Sequence, residues 1–576
     1  MEQGKLSRRD FLRRAGVASA VAAGALTFSG TPKAFAEEGA TAGETASAVD
    51  GLGLYSKALG DDASLMPLRK AVSPGPVGPI AFEGRDIPET EISTTVECEI
   101  LIIGAGIGGL MGSLRAGEEG AKTIILEKMT EGRSAWESFG AVDASFQKEA
   151  GIEIDAAQLK DEIFRAADWR VDPGPINTYV ERSGEMADFW QSMFDKAGTG
   201  WQLYKFDQAP NYNGFPVIDS YVNFKMPKDI SSTWLFGLYA CKELRNVAAA
   251  YSNLDFRYET PAVQLIREGE GRVSGCIAKS GDQYIRVNAT KGVLMATGGY
   301  DANPEMMQTW LRPEDYESSS WWNPSWGTTG DGHMMGLKVG AAMDSLPHAV
   351  MNFSNATPGT FVEKRVYFPG AMNYSLIVTE EGVRFVNENG ARQYISNAEN
   401  KQIELGHTCF HVFDEAMIAS ALEKFPKGTE TLDRDEERGY LFRGSDLTAV
   451  AKAAGIDAAT LQQSIDTYNS YFDQGLERDP EYYRYLGNNK KFTGGTWYIL
   501  RTNSVVLATV SGLTINGNTQ VLDRAGQPIE GLYATGNVSG NFYSGNYPRH
   551  IPGTSVGRAA TFGYVAIEKM LKGGLA

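Results

Sequence analysis

Cysteine, histidine and basic charge are all scarce in this chain of 576 residues. The four cysteines, Cys98, Cys241, Cys276 and Cys409, lie far apart, which excludes a dense disulfide framework and the close spacings that ligate iron–sulfur clusters. No C-x-x-C-H occurs, so covalently attached c-type haem is not a built-in source of electrons. Five histidines without paired ligand spacing suggest neither zinc nor iron, and no metal is expected. A formal charge of -17 offers no basic footprint for a nucleic-acid backbone or an anionic bilayer. Beyond the N-terminal segment, no run approaches the ~20 apolar residues of a membrane span. The length does supply room for two domains and enough apolar material to bury a large cofactor.

The first 36 residues read as a targeting segment. Ser7-Arg8-Arg9-Asp10-Phe11-Leu12 precedes a modest apolar stretch and then Ala34-Phe35-Ala36, a small-x-small cleavage site, so export with cleavage after Ala36 is expected. The paired arginines resemble the twin-arginine signal, a route for proteins already folded, which points to the periplasm or cell envelope. Residues 37–93 are rich in Gly, Ala, Ser, Thr and Pro, including Ser73-Pro74-Gly75-Pro76, and read as a linker or extended arm.

Order is expected from residues 96–103, an apolar run of the kind buried on both faces of a parallel sheet. The glycine-rich turn Gly104-Ala105-Gly106-Ile107-Gly108-Gly109 follows, then helical spacing over 110–120 and a second strand over 122–127, completing a βαβ unit. Residues 155–196 read as strongly helical, while 262–266, 272–277 and 292–296 read as strands. Between 346 and 500 the character shifts to a hairpin over 375–386 and helices such as 461–472, an inserted capping domain of α+β type. The end returns to the first style, with a strand running into Thr535-Gly536-Asn537 and a closing helix over 557–570. The expected fold is α/β, a Rossmann-like domain built from 94–345 and 501–576 around the cap.

In the glycine turn, Gly104 permits the tight bend, Gly106 lets the backbone approach a pyrophosphate, and Gly109 lets helix meet sheet. Glu127, ending the next strand, is placed to bind the ribose hydroxyls of an adenosine. The motif alone does not choose between FAD and NAD.

Beyond residue 95 the chain resembles the flavoprotein family of fumarate reductases and 3-ketosteroid dehydrogenases. The landmarks are Gly104 to Gly109 with Glu127, then Ala296-Thr297-Gly298-Gly299, Thr329-Gly330-Asp331-Gly332, Arg384-Phe385-Val386-Asn387-Glu388 and Gly531-Leu532-Tyr533-Ala534-Thr535-Gly536-Asn537. The resemblance implies a glutathione-reductase-type domain holding FAD, its ring system at the junction with the cap. It places Lys128, Ser134, Gly140, Ala141, Ala262, Val263, Asp331, Ser555 and Val556 at the cofactor beside the turn and landmark residues. Residues 132–141 contain no histidine, so FAD is expected to be noncovalent.

The resemblance also assigns chemistry. Four residues after the glutamate of Arg384-Phe385-Val386-Asn387-Glu388 stands Arg392; fumarate-reductase-like members use an arginine there to protonate one substrate carbon while reduced flavin N5 delivers hydride to its neighbour, and ketosteroid dehydrogenases carry a tyrosine base. The arginine therefore favours reduction. The fumarate enzymes' Glu-x-x-Arg relay aligns with Phe368 and Ala371, a carboxylate-holding histidine with Ala508, and a second carboxylate-binding arginine with Tyr547. Fumarate fits such a site poorly. Tyr547-Pro548 instead resembles the ketosteroid enzymes, whose tyrosine polarises a carbonyl. Arg549 and His550 look like a small insertion able to contact substrate, and Trp321, Trp322 and Trp326 with Tyr374 and Tyr543 are candidate walls of an apolar pocket. The expected substrate is an enone, aromatic acrylate or steroid-like molecule serving as a respiratory acceptor. Because haem and a second flavin domain are missing from the pattern, electrons are expected from a separate membrane-associated cytochrome or quinol-oxidising partner. The alternatives are a dehydrogenase running the same chemistry backwards, a fumarate or urocanate reductase, and a non-catalytic electron carrier of the envelope.

Overall fold

The computed structural model describes residues 80–573 except 133–137, 206–217, 219, 226–235, 318–319, 322–326, 357–373, 425–427 and 488. Ile92–Ile103 is a central strand of the larger sheet, paired in parallel with Thr123–Leu126 on one side and Gln283–Met295 on the other. Leu254–Arg257 extends the sheet in parallel beyond the former, and Pro528–Ala534 beyond the latter. Ile100, Leu101 and Ile102 are fully buried, as an uninterrupted apolar run requires when both faces of a parallel sheet are covered. The helices Ile107–Glu118 and Thr554–Leu571 pack against one another along this sheet. Gln283–Met295 serves twice: its first half also pairs antiparallel with Val273–Ser280, which in turn pairs with Ala262–Arg267.

The second sheet is organised by the long strand Trp497–Thr509, antiparallel to Cys409–Asp414, Leu441–Gly444 and Val350–Ala356. Around it Leu376, Val378, Phe410, Val412, Leu461, Ile465, Tyr468 and Ile499 form a separate core. The expected boundary at residue 500 falls inside this strand, whose pairing with Val350–Ala356 carries the second sheet on to Thr509.

Three other expectations are corrected. The helix over 155–196 is two helices, Ala156–Ala166 and Pro173–Lys196. Asp168 and Trp169 both take left-handed φ, +52° and +54°, which stops a right-handed helix, and Pro173 suits the first turn of the next one. Residues 80–93 are not a free arm: Ile92 already belongs to the central strand, and Ile87 is buried with Val263, Ile266 and Ile277. Finally, the hairpin over 375–386 has one true strand, Leu376–Thr379, whose return is the single bridge between Val378 and Arg384.

That return is replaced by an ion cluster. Arg384 pairs with Glu388 at 2.8 Å and Asp479 at 3.0 Å, and Arg484 reaches Glu388 at 3.2 Å. Burial works against the Glu388 carboxylate, but the two guanidinium groups outweigh it and hold the acid below its ordinary range. Such a cluster fixes geometry more than it adds stability, since the desolvation cost offsets most of the attraction.

The helix Arg392–Glu404 starts just after this cluster. Its Glu399 is fully buried and accepts only from Thr502 Oγ1, at 3.1 Å, among the described residues. Burial pushes this carboxyl up to about 8. A raised value favours the protonated form in the folded state, so its contribution to stability is complete below the usual carboxylate range near 4.3 and is lost as pH rises through about 8. The melting temperature should therefore fall between about pH 4.3 and 8 and level off above, and Glu399→Gln should flatten that fall by several degrees, measured by calorimetry across the range.

Candidate active site

The central strand ends at a turn that only glycine allows. Gly104 has φ +104°, and a Cβ there would stand 2.4 Å from the carbonyl oxygen of Ala296. Its N–H donates to Leu126 O at 2.7 Å, and a Cβ on Gly109 would meet Gly104 O at 2.0 Å, so strand, turn and helix are pressed together at this point. The helix Ile107–Glu118 opens at Gly106 with no side-chain cap, which leaves its first turn suited to an anion.

Glu127 sits beside the turn. Its Oε2 accepts the N–H of Ala105 and its Oε1 that of Met129, each at 2.9 Å. Burial pushes the carboxyl above its ordinary range against the pull of these bonds. These bonds do not exhaust the carboxylate's acceptor sites, which leaves capacity for a hydroxyl donor.

From here one cavity runs along the carboxyl ends of the parallel strands, where ligands of open α/β sheets bind. Its walls include Gly104, Gly106, Ile107, Gly108, Glu127, Lys128, Ala262, Ala296, Thr297, Gly298, Asp331, Gly536, Asn537, Ser555 and Val556. It continues to Met351, Arg392, Leu507, Ala508, Tyr547 and Arg549. The set fits FAD: backbone donors at a helix start, a carboxylate at the neighbouring strand end, and the Thr297 hydroxyl, buried without a hydrogen-bond partner among the described residues.

Residues 99–555 match the family described as FAD binding domain. The chain belongs to that family. Among curated proteins, this FAD-binding chain is 29% identical over 466 residues to the urocanate reductase of Eggerthella lenta, covering 79% of this chain and 72% of that protein. It is 25% identical over 496 residues to the vinyl phenol reductase of Lactiplantibacillus plantarum, covering 80% and 94%. Among solved structures, 3-ketosteroid delta1-dehydrogenase from Sterolibacterium denitrificans shares the fold, with a TM-score of 0.68, 20% identity, and coverage of 83% of this chain and 99% of that one.

Several residues expected at FAD stand behind the wall. Ala105 spends its N–H on Glu127. Gly109 carries the helix on the turn, Gly299 is pressed against Thr509 Oγ1, where a Cβ would lie at 2.4 Å, and Gly140 against Tyr179 Oη, at 2.5 Å. Ala141 is packed in the core between helices. Val263 neighbours Ala262 on one strand and so points to the opposite face, into the cluster with Ile87. Ser134, Phe368, Ala371, Trp322, Trp326 and the side chain of Trp321 lie outside the described residues. Tyr374 packs on the second core. His550 faces a neighbouring cleft, 3.3 Å from Glu162 and 3.5 Å from the hydroxyl of Tyr394.

Met129, Ser138, Tyr221, Asp301, Thr328, Met335, Met351 and Leu507 line the cavity without having been expected there. They come from segments far apart in the chain; Met129, Ser138, Asp301, Thr328 and Leu507 stand next to or two residues from Lys128, Gly140, Gly299, Thr329 and Ala508, while Tyr221 and Met351 had no such signal beside them. Asp301 is half-buried on the cavity wall, and desolvation raises its carboxyl to about 6 against hydrogen bonds from Thr328 and Thr509.

Tyr547 is held by a directed hydroxyl chain. Tyr543 Oη donates to Thr554 Oγ1 at 3.0 Å, and Thr554 Oγ1 and the Ser555 N–H both donate to Tyr547 Oη at 3.3 Å. With its oxygen accepting twice, Tyr547 keeps its own proton for a group in the cavity. Burial raises the phenol above its ordinary value, so it stays protonated.

Gly104→Ala should lower FAD retention at least tenfold, seen as loss of flavin absorbance in protein whose circular dichroism is unchanged, because the added carbon collides with backbone and not with a movable side chain.

Proposed function

We propose that this protein is a reductase of activated C=C bonds, acting on an enone, aromatic acrylate or steroid-like acceptor. The observation that carries the reading is the meeting of Arg392, from the cap, with Tyr547, from the FAD-binding domain, on the cavity that begins at the glycine turn. FAD, when bound and reduced, would supply the hydride, which carries both electrons of the reduction. Arg392 supplies the proton: a guanidinium is charged at every working pH, yet the carbanion or enolate left by hydride addition is basic enough to take its proton, and the same charge stabilises that species beforehand. Tyr547 donates its O–H to the carbonyl oxygen and thereby draws electron density from the double bond. One hydride and one proton convert C=C to CH–CH, and the proton lost by Arg392 returns from solvent.

Arg549 adds a second cation to a cavity whose wall also carries the apolar Met351, Leu507 and Ala508, which favours an aromatic acrylate within the proposed substrate class. The two curated relatives are named for reducing urocanate and vinyl phenol, each a conjugated double bond on an aromatic ring, in keeping with this reading. Export is supported by Ser7-Arg8-Arg9-Asp10-Phe11-Leu12 and the Ala36 site, with electrons delivered by a membrane-associated cytochrome or quinol-oxidising partner. Dehydrogenation is the second reading: the fold is that of a ketosteroid dehydrogenase and Tyr547 would serve a carbonyl in either direction, but Arg392 stands where that chemistry needs a base.

Purified protein reduced anaerobically with a viologen dye should be reoxidised by cinnamates, urocanate, stilbenes or enone steroids. Arg392→Ala should keep its flavin and lose about 10²–10⁴-fold in kcat, and Tyr547→Phe roughly 10- to 100-fold. No oxidation by any conjugated acceptor, or an Arg392→Ala enzyme indistinguishable from wild type, would sink the proposal.

A further inference from the structure

Ala81 and Phe82, ahead of the first strand, both donate their backbone N–H groups to Asp331 Oδ1, at 2.8 and 3.0 Å. The other oxygen, Oδ2, accepts from Lys128 Nζ at 2.7 Å and Thr329 Oγ1 at 2.9 Å. A carboxylate has about four acceptor sites, so Asp331, although it lines the cavity, is committed to protein groups. This corrects its expected role as a direct FAD ligand.

The same segment is fastened again further along. Lys338 Nζ donates to Arg85 O at 2.8 Å and pairs with Asp86 Oδ1 at 2.7 Å. Ile87 donates its N–H to Gln264 Oε1 at 2.9 Å and buries its side chain. Ala81 lines the cavity, and it is tied through Asp331 to Lys128, the residue after Glu127. Gly327 keeps that path clear, since a Cβ there would stand 2.9 Å from Lys128 Cε. A segment that only led into a strand would have no use for a buried carboxylate receptor, and charge-assisted bonds of this kind are the strong ones.

We propose that residues 80–87 form a clasp over the Glu127 end of the cofactor cavity, fastened by Asp331 and Lys338, and that detachment of the clasp limits how fast FAD leaves. The proposal rests on the FAD reading of the cavity. The clasp belongs to the cofactor site as a wall contributed from outside the strand ends, and it holds the cofactor without touching the reacting atoms.

Full-length holoprotein diluted into flavin-free buffer reports release as a rise in flavin fluorescence. Lys338→Ala, which removes the Arg85 and Asp86 anchor at the surface, and Ala81→Pro, which removes one N–H donor, should each speed release about tenfold, and trypsin should cut after Arg85 faster in both. Release within about twofold of wild type in both variants would overturn the clasp and leave the cofactor site standing. A chain that takes up no flavin would overturn the cofactor reading and the clasp with it.

Discussion

The site depends on how closely the backbone approaches itself at Gly104. Its N–H bonds Leu126 O, the Ala296 N–H bonds Ile103 O, and the Thr535 N–H bonds Met295 O, at 2.7, 2.8 and 2.9 Å. These bonds sew the ends of four parallel strands into one rim. The carbonyl of Ala296 occupies the space a side chain at 104 would need, so the rim closes only around a glycine with positive φ. Because it closes, the uncapped start of Ile107–Glu118 and the carboxylate of Glu127 face the same cavity, and a cofactor can be held largely by backbone.

The reacting end is assembled at a seam. Thr509, the last residue of the long cap strand, accepts the Tyr300 N–H on its hydroxyl at 2.8 Å, which ties the second sheet to the loop following Gly299. The buried cluster of Arg384, Glu388, Asp479 and Arg484 fixes the turn from which the helix of Arg392 departs. Tyr547 arrives from the other domain, aimed by Tyr543, Thr554 and the Ser555 N–H. Neither domain alone would hold both Arg392 and Tyr547, the proposed proton donor and the proposed carbonyl-polarising hydroxyl.

Local features were legible where local physics decides. An apolar run, closely spaced glycines and a following acidic strand end identify the turn and Glu127, because strand, turn and helix are set by neighbours in the chain. The left-handed pair Asp168 and Trp169 has no signature of its own, although Asp172-Pro173-Gly174-Pro175 just beyond it marks the start of a new helix. Nor were residues 80–91 separable from the linker before them: the partners that order them, Asp331, Lys338 and Gln264, lie far along the chain. Asp331 was recognised as part of a landmark, but its partners could not be read from it.

The sequence by itself determined the class of cavity, the glycine turn that builds it, and the arginine on which reduction would turn, because apolar periodicity, glycine and landmark spacing are properties of short segments. Tertiary structure alone decided that Val263 and Gly299 stand behind the wall, that Asp331 takes the N–H groups of Ala81 and Phe82, and that Arg392, Tyr547 and Arg549 line one cavity. Those outcomes depend on which groups separated by hundreds of residues reach hydrogen-bonding distance, and side-chain direction across a sheet or a domain seam is set by packing that no single segment contains.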